Sequence, residues 1–526
     1  MPRRGPWPEN PVIYQVYPRS FLDTTGTGEG DLPGVTRQLD YIAGLGVDGI
    51  WLSPFYPSPF CDGGYDIADH CAVDRRFGTL DDFDALVARA HDLDLRVMID
   101  LVLNHTSDTH DWFAKSLARE EGFEDVYIWA DPCKDGSPPS NWLSFFGEAA
   151  WRWHPQRAQY CLHKFLPCQP CLNHYNDRVH ERLNRITRFW RDRGVDGFRY
   201  DAVTSFFYDP GFRDNPPAAE AEAALIPGPS NNPYTFQEHI HDVLPNECAA
   251  FAETLREMAG PDAYLLGEIN NGPRSVEVTC KFTGPDRLDA GYAIDLPERG
   301  PSTEVLRDLL TRLEDAEGWT WWLNSHDQKR AVSSFGDGGA ADAKMLAAFL
   351  CALPGPLLLF QGEELGQPQA ELEKVELTDP YDLMYWPDSV GRNGARAPMA
   401  WDDTQPACGF SKAVPWLPMA RAEQGGVAQQ EADPASVLAF YRDALARRRD
   451  LGLAEATMEL EDAPDACIRF RLRVGTLVVQ VAANMSGAPQ DLAPRQGAKR
   501  ILQTKPPAPG SNLPPRSAAW WLLEKG

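Results

Sequence analysis

The stretch Gly194-Val195-Asp196-Gly197-Phe198-Arg199-Tyr200-Asp201 decides the fold. An apolar-leaning run ends in Arg199-Tyr200-Asp201, so a short strand delivers an aspartate to its C-terminal mouth beside a cation. Pleating turns Arg199 and Asp201 to the same side, where the guanidinium holds the carboxylate charged. Asp100, Glu268 and Asp327 each stand at or near a further candidate strand, so four acidic residues far apart in sequence are expected in one pocket.

Outward from that stretch, short β-rich runs alternate with helical patterns from Pro11 to about Asp450, the signature of repeated βα units around a parallel sheet. The candidate strands are Val12–Tyr17, Gly49–Leu52, Arg96–Val102, Gly197–Tyr200, Tyr264–Leu266, Arg287–Tyr292, Thr320–Leu323 and Pro356–Phe360. Together they predict an α/β fold, a closed (β/α)8 TIM barrel. Apolar spacing predicts helices over Leu80–Leu93, with Thr79 or Asp81 as cap, over Val179–Arg193 and over Ala435–Arg449.

Residues 106–172 break the rhythm: they are rich in Pro, Gly, Trp and Asp, with no clean helical period. They read as an insertion after the third strand, placed to wall the mouth of the barrel. The barrel itself is assigned to residues 1–105 and 173–450. Over 451–526 the pattern becomes alternating, with strands at Cys467–Leu472, Thr476–Ala483 and Ala518–Leu523, which predicts a small antiparallel β-domain. Gln503–Arg516, with five prolines, is a loop within it.

Composition narrows the function. With 50 Lys plus Arg against 76 Asp plus Glu, the net charge of −26 repels phosphate backbones and anionic membranes, so neither is expected as a partner. No apolar run approaches the roughly 20 residues of a membrane span, and Met1–Pro6 leads into no signal-like core, so a cytoplasmic location is expected. Eleven cysteines, an odd count, read as free thiols.

Glycosidic hydrolysis needs a carboxylate to meet the oxocarbenium-like centre and a carboxylic acid to protonate the departing oxygen, about 5 Å apart in retaining enzymes. Asp201 suits the first role. Glu268, ending the apolar run Tyr264-Leu265-Leu266-Gly267, suits the second, because that setting favours a retained proton. Each alone is as well explained as an ordinary capping or salt-bridged carboxylate. With Asp327 in Asn324-Ser325-His326-Asp327 at a further strand end, the joint reading is catalytic, since barrel chemistry is assembled from strand ends.

The segments DLVLNH (Asp100–His105), GFRYDAV (Gly197–Val203), LLGEIN (Leu265–Asn270) and NSHD (Asn324–Asp327) resemble, in order and spacing, the signature regions of the α-amylase family of retaining glycosidases. IYQVYPRSF (Ile13–Phe21), GYDIADH (Gly64–His70), QGEELG (Gln361–Gly366) and GRNGARAPMAW (Gly391–Trp401) resemble its α-glucosidase and oligo-1,6-glucosidase branch. The resemblance implies Asp201 as nucleophile, Glu268 as general acid/base and Asp327 as the carboxylate that grips sugar hydroxyls. It implies Tyr65, His105, Phe146, Phe165, Arg199, Ala202 and His326 as further substrate-binding positions, with Asp66 and Arg396 closing the pocket behind a terminal glucose. That pocket implies exo attack on a short oligosaccharide or an aryl or alkyl glucoside. Ala202, where valine tends to accompany α-1,6 activity, points to α-1,4 cleavage, and the segments Arg213–Pro217, Asn232–His239 and Asp379–Pro387 resemble α-1,4-glucosidases, some of which transfer glucose. The competing readings are a sucrose-active hydrolase or isomerase, an oligo-1,6-glucosidase, and a catalytically silent barrel scaffold. A monomer or homodimer is expected.

No cofactor is expected to be required. The loop Asp23–Asp31 resembles a divalent-cation loop, with Asp23, Thr25, Thr27 and Asp31 as oxygen ligands for Ca²⁺ or Mg²⁺; the plainer alternative is a Gly-rich turn. Cys161, His163, Cys168, Cys171 and His174 form a soft-ligand cluster, read as isolated thiols in preference to a zinc site. Ser325, Cys171, Asn393 and the bulky Tyr200 depart from the family pattern, which puts rate and rim geometry in question.

Overall fold

The computed structural model describes residues 6–523 apart from 220–228, 230, 294–301, 314–315, 390, 495–496 and 507–512. Seven parallel strands form one sheet in the order Leu357–Phe360, Val12–Val16, Gly49–Leu52, Arg96–Leu101, Gly197–Tyr200, Tyr264–Glu268, Ala290–Tyr292. The strand Gly197–Tyr200 pairs Asp100 with Arg199 on one side and Arg199 with Leu266 on the other, which sets the three strand ends level.

Two expectations about the eighth strand and its neighbour need correction. Thr320–Leu323 is not a strand: it contributes parallel bridges from Trp319 to Gly291 and from Trp321 to Leu357, and these join the two sheet edges. Thr320 N donates to Gly291 O at 2.9 Å and Leu358 N to Trp321 O at 2.8 Å, so the barrel closes through single residue pairs rather than a full ladder. The run Arg287–Tyr292 shortens to Ala290–Tyr292, because Arg287 and Leu288 turn back onto Gly284 and Phe282 at the end of the preceding helix.

The helices follow their apolar spacing. Leu80–Asp92 starts at Thr79, whose hydroxyl and the Asp82 carboxylate complete a capping box, and it buries Phe83, Leu86, Val87 and Ala90. Asp177–Asp192 starts two residues before the expected Val179 because the Asn176 side chain caps it. Its Val179, Leu183, Ile186 and Trp190 face the sheet, where the Trp190 ring meets Phe83 edge-on at 4.8 Å. Val437–Asp450 is capped by Ser436.

The segment 106–172 forms a three-stranded antiparallel sheet of Trp129–Ala130, Gln159–Leu162 and Trp151–His154 around Trp142, Trp151 and Leu162. It also holds a helix, Asp111–Leu117, that the composition concealed; His110 caps it. Five antiparallel strands, from Thr457–Glu461 to Ser517–Leu522, make the C-terminal domain. The domain docks on the barrel through Trp520, whose indole N–H donates to Ala348 O at 2.9 Å. Part of the proline-rich loop Gln503–Arg516 lies outside the described residues. No helix among the described residues is long and apolar enough to cross a membrane.

Candidate active site

Three strand ends deliver Asp100, Arg199, Asp201 and Glu268 to one place. Arg199 is fully buried, and each of its three guanidinium nitrogens faces a polar partner. Nη1 donates to Asp100 at 2.8 Å and Asp201 at 2.6 Å, Nη2 donates to Tyr292 Oη at 2.7 Å and pairs with the Glu268 carboxylate at 2.7 Å, and Nε donates to the same Oη at 3.0 Å. One guanidinium thus spaces three carboxylates. The Ala202 N–H, in a left-handed turn (φ 42°), also donates to Glu268 at 3.1 Å, which ties the acid/base candidate to the residue after the nucleophile candidate.

With three carboxylates around one cation, the cluster favours taking up a proton. Burial pushes Asp201 above the usual carboxylate range, with Arg199 pulling it back and Glu268 and Asp100 adding to the rise. Burial likewise moves Asp100 to about 6. Arg199 is the one charge that opposes this and favours an ionised Asp201.

Asp327 occupies the opposite electrostatic regime. Burial alone would raise it, but the electrostatic attraction of the His326 ring and of the Arg392 and Arg396 guanidiniums holds it well below the usual carboxylate range. Arg396 Nη2 donates to Asp327 at 2.7 Å, and Nη1 to Asp379 at 3.0 Å. Asp327 is therefore held ionised, which suits a hydroxyl acceptor and not an acid.

The histidines are neutral. Burial lowers His326 and His105 to about 3. Gln15 Nε2 lies 2.8 Å from His326 Nδ1 and donates to it, so Nε2 carries the proton and faces Tyr65 Oη at 2.7 Å and Asp327 at 3.1 Å. Tyr65 passes its own proton toward Asp100 at 3.0 Å, and its ring stacks on His326 at 5.4 Å. His105 Nε2 accepts from Gln169 Nε2 at 3.0 Å, and Gln169 also donates to Asp62 at 2.9 Å.

These groups line a cavity of about 490 Å³ that also takes in Phe146, Phe165, Ala202, Phe145, Tyr381 and Arg392. Of the binding positions named from the sequence, Tyr65, His105, Phe146, Phe165, Ala202 and Arg396 reach it, and Arg199 and His326 lie directly behind the wall. Asp66 is a correction. Its carboxylate is turned into its own loop, accepting from Ser58 Oγ at 2.8 Å, Asp62 N at 3.1 Å and Cys61 N at 3.0 Å, so it braces the turn. Asp62, four residues earlier, lines the cavity instead, 3.9 Å from Arg392. The signal that could have found it is Gly63-Gly64: two positive-φ glycines swing the chain between Asp62 and Tyr65.

The four departures from the family pattern are absorbed by the scaffold. Tyr200 points away from the pocket, pleated opposite to Arg199, with its hydroxyl 3.5 Å from Leu255 O. Asn393 accepts from the N–H groups of Thr378 and Asp379 at 2.8 Å. Ser325 Oγ accepts from Asp327 N at 3.2 Å, and Cys171 Sγ from Lys164 N at 3.3 Å.

Asp23 accepts from the N–H groups of Thr25, Gly26 and Gly28 and from Ser411 Oγ; Asp31 accepts from Thr24 and from Gly34 N as a helix cap. Every carboxylate oxygen of Asp23 and Asp31 already faces a donor, and Thr27 contributes only a hydroxyl, so this arrangement does not fit a hard cation that wants six or more oxygens. In the soft-ligand cluster, His163 Nδ1 and His174 Nε2 are spent on the carbonyls of Phe165 and Leu103 at 3.0 and 2.9 Å. No group of three or more His, Cys, Asp or Glu suited to a metal occurs among the described residues.

Comparison with known proteins agrees with this geometry. A probable alpha-glucosidase of Rhizobium meliloti (strain 1021) is 46% identical over 495 residues, 91% of this chain and 89% of its own length. An oligo-1,6-glucosidase of Heyndrickxia coagulans is 35% identical over 486 residues, 84% of this chain and 85% of its own. The crystal structure of an alpha-glucosyl transfer enzyme, XgtA, superposes with a TM-score of 0.92 at 42% identity, covering 99% of this chain and 100% of that one. The family model for the alpha amylase catalytic domain matches residues 15–454, and the chain belongs to the alpha-amylase family.

Proposed function

We propose that the protein is an exo-acting, retaining α-glucosidase that removes a terminal α-1,4-linked glucose from short oligosaccharides and passes it to water or to another hydroxyl. The observation that carries this is the Arg199 fan, which holds Asp201 and Glu268 on one cation at the floor of a cavity whose side is closed by Asp62, Asp327, Arg392 and Arg396.

In the reaction, Asp201 attacks C1 of the bound glucose as Glu268 gives its proton to the departing glycosidic oxygen. The C1–O bond breaks, and a covalent β-glucosyl-enzyme forms on Asp201. Glu268, now ionised, takes a proton from an incoming water or sugar hydroxyl, whose oxygen displaces Asp201 and restores the α configuration. Asp327 stays charged and grips glucose hydroxyls as the ring flattens, while neutral His105 lines the cavity and neutral His326 braces Tyr65 from behind its wall. The relatives named alpha-glucosidase and alpha-glucosyl transfer enzyme support hydrolysis with transfer. Ala202 supports α-1,4 over α-1,6 preference. The Asp23–Asp31 loop holds itself by its own hydrogen bonds and requires no cation.

The test is product analysis by NMR over maltose, isomaltose and sucrose with Asp201→Asn and Glu268→Gln as controls. Release of α-glucose from maltose faster than from isomaltose, abolished by Asp201→Asn, is expected. Initial release of β-glucose would overturn the retaining reading, and faster cleavage of isomaltose or sucrose would overturn the linkage reading.

A further inference from the structure

Beyond the glucose-holding end, the cavity is lined by Tyr234, Glu238, His239, Asp242 and Val243, all on the segment 231–243 that follows the nucleophile strand. A chain of rings leads there from the closed end. Arg392 sits over Tyr381 at 5.1 Å, Tyr381 stacks on Phe145 at 5.5 Å, and Phe145 meets Tyr234 at 5.7 Å. These contacts run along the cavity wall from Arg392, 3.5 Å from Asp327, to Tyr234, three contacts further on.

Tyr234 is held with unusual firmness for a loop residue. The His239 ring stacks face-on against it at 3.6 Å. His239 Nδ1 is 2.7 Å from Asp242 Oδ2 and Nε2 is 2.9 Å from the Tyr234 carbonyl. Both ring nitrogens face acceptors, which fixes the plane of the imidazole against the tyrosine ring. Asp242 is buried, and its other oxygen accepts from Asn215 at 2.8 Å. Asn232 anchors the other end of the segment, donating to Phe145 O at 2.9 Å.

We propose that Tyr234 is the platform on which the leaving-group sugar stacks in cleavage, and the acceptor sugar in transfer, and that His239 and Asp242 are positioning residues that fix its ring. Aromatic faces suit this task because a pyranose presents a flat C–H surface that buries against a ring, whatever its hydroxyl pattern. The platform sets selectivity for what occupies the far side of the scissile bond and leaves the chemistry at C1 to Asp201 and Glu268.

This rests on the glucosidase reading above, so the experiment pairs two substrates. Maltose places a sugar on the platform. α-Glucosyl fluoride has only a fluoride leaving group and reaches no further than the reacting glucose. The readout is the ratio of kcat/KM for maltose to kcat/KM for the fluoride. Tyr234→Leu is expected to lower that ratio at least tenfold, chiefly through maltose KM. Tyr234→Phe, which keeps the ring, is expected to stay within twofold of the wild type. His239→Ala is expected to lower the ratio while the KM for the fluoride stays put, which excludes a folding defect. An unchanged ratio in Tyr234→Leu overturns the platform, and an unchanged ratio in His239→Ala overturns the positioning role. A wild-type protein that turns over neither substrate overturns the glucosidase reading and the platform with it.

Discussion

Replacing Arg199 with lysine tests the centre of the mechanism, because it keeps the charge and removes the fork. The guanidinium makes five short contacts from three nitrogens, to Asp100, Asp201, Glu268 and twice to Tyr292. A lysine has three N–H groups on one nitrogen, so at least two contacts are lost. At about 1.5–3 kcal/mol for each hydrogen bond to a charged group, the loss is about 3–6 kcal/mol. If it falls on the transition state, kcat/KM drops by about 10²–10⁴, at 1.36 kcal/mol per tenfold. Arg199→Met goes further: Asp100, with 0% exposure, loses its counter-ion. Breaking a buried pair costs about 3–5 kcal/mol of stability, so that variant melts well below the lysine one. Initial rates on maltose and α-glucosyl fluoride, with melting curves for both variants, separate the two effects. If Arg199→Lys stays within tenfold of the wild type on both substrates, the fan does not space the carboxylates as described.

Three further outcomes follow from the same contacts. Asp62→Asn lowers kcat/KM for maltose by about tenfold or more with an unchanged melting temperature, whereas Asp66→Asn costs about 1–3 kcal/mol of stability by facing an amide to three N–H or O–H donors; equal kinetic losses without destabilisation would reverse the assignment. His174, buried against Phe206 and lowered by burial to about 3, is protonated below about 6.5 only in the unfolded chain, so its contribution is full above that pH and fades as pH falls toward 3. Between pH 7 and 5 the stability gap between His174→Phe and the wild type therefore moves about 2 kcal/mol in the variant's favour, and urea titrations that show a constant gap would refute this. Chelation with EDTA leaves the melting temperature unchanged, because Asp23 and Asp31 are already satisfied by loop donors; a fall of several degrees that Ca²⁺ restores would show a bound cation.

Much of this was legible along the chain because strand and helix periods are local. Apolar positions spaced for a helix located Leu80–Asp92 and Asp177–Asp192 to within two residues, and the strand ends carried Asp100, Asp201, Glu268 and Asp327 into view. Two classes of feature escaped. Thr320–Leu323 has β-like composition, but whether it ladders depends on how far the two sheet edges stand apart, a property of the closed barrel. Asp66 and Asp62 are both acidic residues beside the same glycine pair; only the path of the chain through Gly63 and Gly64 shows which one faces the cavity.

The sequence by itself determined the barrel, its insertion and C-terminal sheet, and the identity of the carboxylates, since side-chain period and residue type are properties of neighbours along the chain. Tertiary structure alone decided the rest: that one guanidinium serves three acids, that Tyr200 faces outward, that Asp327 is held ionised by Arg392 and Arg396, and that His239 grips Tyr234 over the far side of the cavity. Charge, burial and hydrogen bonding act across a few ångströms of space, and those distances exist only once the chain has closed on itself.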